Sequence, residues 1–224
     1  MDIGDAIEYP TRGEPVKHIL ALTVASMFSF LLLPAFYLNG YLVAVIRGTI
    51  NNEETPPVVT TDTIGQYLKD GFIATIILLV YSLPILLITA SGFGVGIPME
   101  GEVPGQPSAL LTGGLLIFLL AMFAALFFFT FLYFPVAIGL YVKNKSIGSA
   151  FAVPTILRTI FDTSYLLAAI IATVAGGIGF VASFFFSLIP FIGLVIGPLI
   201  IAPISIFNSR VYGLGITESL SETA

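Results

Sequence analysis

Of the 224 residues, 57% are hydrophobic and only 9% are charged, and the charges are segregated: none occurs in residues 71–99, 103–142 or 163–209. A span needs about 20 mostly apolar residues to cross about 30 Å of hydrocarbon, so these runs define an integral membrane protein with no room for a separate soluble domain. The net charge of −5 excludes a basic nucleic-acid face, and the absence of cysteine, with His18 as the single histidine, excludes disulfides, thiolate metal sites and cysteine nucleophiles.

The acidic start Met1-Asp2-Ile3-Gly4-Asp5 lacks the basic residues of a secretory leader, so no cleaved signal is expected and the first apolar segment should remain as an anchor. Ahead of that segment, Ile3, Ile7 and Pro10 oppose Asp2, Asp5 and Arg12 at helical spacing, which predicts a short amphipathic element. Five hydrophobic segments follow, at about 19–46, 72–97, 110–142, 165–187 and 191–207. The first and third contain Pro34 and Pro135, each followed by Gly and Tyr and then by a basic residue, Arg47 or Lys143. Proline removes a backbone donor and kinks a helix at that point.

Between the spans, Ile64, Tyr67 and Leu68 oppose Asp62, Gln66, Lys69 and Asp70. Further on, Ile147, Phe151, Pro154, Leu157 and Phe161 oppose Ser149, Thr155, Arg158, Asp162 and Thr163. Both patterns predict helices lying on the membrane surface. Residues 4–11 and 148–155 also share the letters G-x-A-apolar-x-x-P-T, which suggests an internal repeat against the alternative of chance recurrence in so biased a chain. Ser187-Leu188-Ile189-Pro190 reads as the turn of a terminal helix hairpin; the prolines at 190, 198 and 203 leave a discontinuous last helix as the alternative.

Lys and Arg favour the cytoplasmic side of short loops. The connection 99–109 has none and should face outward, whereas 47–71 and 143–164, together with Arg210, hold most of them and should face inward. If residues 19–46 cross once, the protein has five spans and its amino terminus is outside with Arg12 and Lys17. If they re-enter at Pro34, all basic residues share one side. Charge favours re-entry, but so short a segment cannot make two full crossings at about 1.5 Å per residue, and five full spans are the expectation.

No acid, base, nucleophile or metal cluster can be assembled mid-span, so no catalytic, cofactor or metal site is expected and the chain is read as non-enzymatic. Arg47, Lys69, Asp70, Lys143, Arg158, Asp162 and Arg210 fall at interfaces, where snorkelling is the default. Arg158 and Asp162, spaced i and i+4, are candidates for an ion pair on the surface helix that contacts lipid headgroups or a partner, together with Lys143 and Lys145. Pro34, Asn39, Ser82, Pro84 and Pro135 are candidate kink or polar positions, with Tyr81, Thr130 and Tyr133 nearby; serine or threonine there would bond a carbonyl freed by proline, or line a polar path. Small residues recur as Gly193-x-x-x-Gly197, Ala172-x-x-x-Gly176 and Gly179-x-x-x-Ser183, letting helices approach closely within the chain or between copies.

Leu33-Pro34, the stretch Gly40-Tyr41-Leu42-Val43 running to Val45-Ile46-Arg47, Pro56-Pro57, Lys69-Asp70-Gly71, Ile147-Gly148-Ser149-Ala150-Phe151 and Ser164-Tyr165-Leu166 together resemble the domain-of-unknown-function 4013 family of multi-pass membrane proteins. The chain departs from that pattern at Val58-Val59-Thr60-Thr61-Asp62, where an aromatic and acidic cluster is expected. The resemblance implies an archaeal membrane and a salt-adapted role for the acidic loops, and no activity. The expected architecture is an all-α polytopic bundle, one membrane domain over residues 1–224, with amphipathic interfacial helices. Its expected partners are membrane lipids, further copies or other membrane proteins, and no nucleic acid. Its expected role is to organise lipids or partners at the cytoplasmic face of the cell membrane. The alternative is a channel or transporter for a small solute that uses the proline-broken helices.

Overall fold

The computed structural model describes residues 2–94, 109–189 and 191–221. Helix α1 (Ile3–Glu8) is capped by Asp2, whose carboxylate accepts the Asp5 amide at 3.1 Å, and it runs into a 3₁₀ turn, Tyr9–Thr11. Gly13, at φ +68°, turns the chain into α2 (Pro15–Met27), which opens on a proline whose missing N–H has no intrahelical role there. A turn at residues 28–31 separates α2 from α3 (Leu32–Ile50).

Residues 19–46 therefore form two helices where one continuous segment was expected. Pro34 lies in the first turn of α3, where its ring and fixed φ are tolerated, so the break falls upstream of it and no kink forms at it. The Tyr9 hydroxyl donates to the Thr55 carbonyl at 3.0 Å and Arg12 donates to the Glu54 carbonyl at 3.4 Å. The chain before α2 thus meets the chain after α3, and the pair doubles back.

Helix α4 (Thr61–Gly94) absorbs both the amphipathic stretch near Tyr67 and the second apolar segment, so the expected surface helix is instead the first turns of a long one. The end of that segment, 95–97, and the outward connection after it lie outside the described residues. Next, α5 (Ala109–Phe127), a π turn (Phe128–Tyr133) and α6 (Phe134–Asn144) run on without interruption to Lys145, which adopts a left-handed φ of 52°. A 3₁₀ turn (Ile147–Phe151) and a short α7 (Val153–Ile160) replace the single surface helix expected there, because Pro154 again takes the first turn of a helix.

The Asp162 carboxylate caps α8 (Thr163–Ser187) by accepting the Ser164 and Tyr165 amides at 3.0 and 3.4 Å. Residue 190, the end of the expected turn, lies outside the described residues, and α9 (Ile192–Ser221) passes unbroken through Pro198 and Pro203. The shared letters of residues 4–11 and 148–155 do not share a structure: α-helix precedes 3₁₀ in the first, and 3₁₀ precedes α-helix in the second.

No strand occurs among the described residues. Thr61–Ile85, Phe118–Asn144, Thr163–Ser187 and Ile192–Ser221 are long and apolar enough to cross a membrane. On α8, Leu167, Ile170, Val174, Ile178, Val181 and Phe185 form an exposed apolar stripe at helical spacing, as a lipid-facing surface requires. The opposite side of α8 packs antiparallel on α9 through small residues. A Cβ on Gly179 would meet Ile204 at 2.4 Å, and one on Gly215 would meet the Ala168 Cβ at 2.5 Å. Ser183 donates to the Gly197 carbonyl at 3.2 Å. The small-residue spacing on α8 and α9 thus serves contacts within the chain.

Gly40 and Gly71 form a tighter crossing between α3 and α4. A Cβ at Gly40 would lie 1.7 Å from the Tyr67 carbonyl oxygen, and one at Gly71 would lie 1.7 Å from that of Phe36. Gly40→Ala or Gly71→Ala is expected to cost about 3 kcal/mol or more, since backbone must move to admit the methyl. Gly65→Ala, on the open face of α4 with nothing within 4 Å, should be neutral or stabilise by up to about 1 kcal/mol. Thermal unfolding of the detergent-solubilised variants by circular dichroism checks both.

Candidate functional site

The basic residues collect at one end of the bundle. Arg12 and Lys17 flank the start of α2, Arg47 ends α3, Lys69 lies near the start of α4, Lys143 and Lys145 end α6, and Arg158 ends α7. Arg210, on α9, reaches the same end. Two buried charges tie it together. The Asp70 carboxylate, 1% exposed, accepts from Arg47 and from Gln66 at 2.8 Å each, and from the Tyr141 hydroxyl at 3.2 Å, joining α3, α4 and α6.

Arg210, 6% exposed, donates to Asp5 at 2.9 and 3.3 Å and to the Glu53 carbonyl at 2.8 Å, and its guanidinium stands 4.4 Å over the Tyr9 ring. The expectation that these residues snorkel at an interface fails for Asp70 and Arg210, whose charged partners, Arg47 and Asp5, are distant in sequence. Burial pushes the Asp5 carboxyl up, but the hydrogen bonds and charges of Arg12 and Arg210 outweigh it and hold it below its ordinary 3.8. Burial pushes the Tyr9 phenol up to about 12 despite the Arg210 charge, so it remains a neutral donor.

Beside this end, α7 turns Ile156, Thr159 and Ile160 inward and leaves Val153, Leu157 and Phe161 exposed, with Ile147 in the preceding turn. Ile3 and Ile7 of α1 are likewise exposed. Asp162 is committed to capping α8, and no ion pair joins it to Arg158 among the described residues, so the expected i, i+4 pair is corrected. Arg158 instead borders a groove of about 430 Å³ with Thr155, Thr159, Asp162 and Ser219, between α7 and the end of α9. Lys143 and Lys145 are exposed at the end of α6, where a cation complements the helix terminus.

Deeper in the bundle, Pro135 offers no amide to the Phe131 carbonyl, and the Tyr212 hydroxyl from α9 bonds that oxygen at 2.9 Å. The Tyr165 hydroxyl from α8 bonds the neighbouring Leu132 carbonyl at 2.6 Å. Proline-freed backbone is therefore satisfied by tyrosine from other helices, where serine or threonine nearby was expected. Ser82 bonds the Leu79 carbonyl at 2.9 Å, one residue before the carbonyl that Pro84 releases.

Next to Pro135 lies a cavity of about 210 Å³ between α3, the π turn, α6 and α9. Asn39, Thr130, Ser205, Asn208, Ser209 and Tyr212 supply its polar lining, and Leu42, Val43, Ile46, Phe134 and Ile138 most of the rest. The Asn208 Oδ1 is buried without a hydrogen-bond partner. Of the positions expected from sequence, Asn39, Thr130 and Pro135 meet here; Pro34, Ser82 and Pro84 do not. The α9 contribution was missed, although Ser205, Asn208, Ser209 and Tyr212 recur at i, i+3, i+4 and i+7, one face of a helix. Among the described residues no group of His, Asp and Glu could hold a metal ion.

A helical bundle with four apolar helices of spanning length among its described residues, and its basic groups gathered at one end, defines a multi-pass membrane protein. Residues 27–191 match the family described as protein of unknown function DUF4013, and the chain belongs to that family. No curated protein and no solved structure matches it. The matched region holds the Gly40–Gly71 crossing, the Arg47–Asp70 pair and Pro135, and leaves Asp5, Asn208 and Arg210 outside.

Asp70→Asn is expected to destabilise the protein by about 2–3 kcal/mol, because it leaves Arg47 uncompensated at a partly exposed site. The fall in melting temperature in detergent measures this. Asp5 titrates lower in the folded than in the unfolded chain, so its contribution is complete above about pH 4 and is lost as pH falls through the folded value. Asp5→Asn should therefore lower stability at pH 6 and flatten its decline below about pH 4, as followed by pH-dependent melting.

Proposed function

We propose that the chain is a non-enzymatic protein of the cell membrane that organises lipids at the cytoplasmic face through its interfacial elements. The observation that carries this reading is the exposed apolar side of α7, Val153, Leu157 and Phe161, beside the exposed cations Lys143, Lys145 and Arg158. An amphipathic segment of this kind lies in the headgroup region with its apolar side in the acyl chains and its cations at the phosphates. The gathering of the lysines and arginines at one end supports a cytoplasmic location for that end. The buried charges Asp70 and Arg210 are consumed by structural partners, which supports a role that needs no acid or base.

In this arrangement four helices cross the bilayer and the α2–α3 hairpin enters from the cytoplasmic side. The 13 residues of α2 reach about 20 Å, short of the full hydrocarbon thickness. The tip suits lipid: Phe28, Phe30 and Leu31 are exposed, while the Phe28, Ser29 and Leu31 amides donate to the Val24, Ser26 and Phe28 carbonyls at 3.2, 3.2 and 2.9 Å.

The test is retention of anionic lipid. Protein extracted from vesicles of phosphatidylcholine with phosphatidylglycerol should carry phosphatidylglycerol through purification, as read by native mass spectrometry. A surface cation is worth about 1 kcal/mol towards an anionic lipid, so each of Lys143→Gln, Lys145→Gln and Arg158→Gln should lower retention by a factor of about five. Retention unchanged in the triple variant would remove this reading.

A further inference from the structure

The cavity beside Pro135, which reaches the surface of the bundle at the exposed Thr130, is independent of the interfacial elements. We infer that it is a binding site for a small, uncharged, hydrogen-bonding solute, a primary amide or a polyol. At about 210 Å³ it exceeds what a single water needs. Its lining is mostly apolar with a few polar groups converging on it, the usual make-up of a ligand site.

The Asn208 Oδ1 gives the site its demand. A buried amide oxygen without a partner is costly, and a rotation of the Asn208 side chain that turned this oxygen into the cavity would let an N–H or O–H donor remove that cost. Asn39 on α3, Thr130 in the π turn and Ser205, one turn before Asn208 on α9, offer both donors and acceptors, so a solute that carries both is matched and a hydrocarbon is not. No acidic or basic side chain lines the cavity. The charges nearest in sequence are already engaged, Arg210 by Asp5 and the Glu53 carbonyl, and Arg47 by Asp70. An ion entering the site would lose its hydration and gain no counter-charge, which restricts the solute to neutral molecules.

Acetamide and acetate have nearly the same shape and differ in charge, and they separate this site from unselective binding. The full chain in nanodiscs would be titrated with acetamide, glycerol and acetate and followed by saturation-transfer NMR. Saturable transfer to acetamide and glycerol, with none to acetate, is expected from the native protein. Asn208→Leu, which removes the amide and keeps the volume, should cut the acetamide signal at least tenfold. Thr130→Val, which keeps the side-chain shape and so the fold, should cut it about threefold. No saturable transfer to acetamide or glycerol from the folded native protein overturns the inference. So does an acetate signal equal to that of acetamide, or an acetamide signal unchanged in Thr130→Val and in a folded Asn208→Leu.

Discussion

Inside a hydrocarbon layer a polar atom must find its partner within the protein, and the tyrosines of this chain meet that constraint. Tyr212 and Tyr165 bond the carbonyls at the Pro135 irregularity, so the π turn and the proline leave those two backbone acceptors satisfied from neighbouring helices. Nearer the polar end, Tyr9, Tyr41 and Tyr67 bond the carbonyls of Thr55, Pro57 and Val58, holding the loop after α3 against the bundle. Each bond contributes about 1 kcal/mol net, but leaving the same carbonyl buried and unmet would cost more, so their value lies in permitting irregular backbone. A rigid ring with a donor at its tip suits this role, since little side-chain freedom is lost.

The doubling back of α2 and α3 depends on the same network. The Tyr9 bond and the Arg210 contacts with Asp5 and the Glu53 carbonyl hold the chain before α2 to the chain after α3 and to α9. Within α9 the functions alternate by face. Asn208 and Tyr212, four residues apart, look towards the cavity and the π turn, while Arg210 between them points to the opposite side and grips α1. One helix therefore joins the cationic end to the cavity beside Pro135.

Helices α4, α8 and α9 and the α5–α6 span were legible because apolar length alone predicts them. The break at residues 28–31 was not, since Met27-Phe28-Ser29-Phe30 contains no helix breaker and Pro34 reads as a kink unless its place in a first turn is known. Charge distribution pointed to the doubling back, because only a hairpin puts Arg12 and Lys17 with the other cations. Asp70 was misplaced for a physical reason: a carboxylate beside Lys69 reads as solvated, and its partners Arg47 and Tyr141 are far away in sequence. Gly40 and Gly71 were seen as letters of a family pattern, and only the crossing of α3 and α4 explains why those letters are glycine. Asn39, Thr130 and Pro135 were legible by their proline context, whereas Asn208 required the helical periodicity of α9 to be followed past the end of its apolar run.

The central claim is that residues 19–46 form a hairpin that returns the chain to the side it left. The chain contains no cysteine, so single cysteines at Thr11, Asn144 and Leu188 can be probed in intact cells with a membrane-impermeant thiol reagent. The account predicts labelling at Leu188, and protection at Thr11 and Asn144 until the membrane is opened. Labelling at Thr11 in intact cells, with Asn144 still protected, would mean that residues 19–46 cross once and would contradict it.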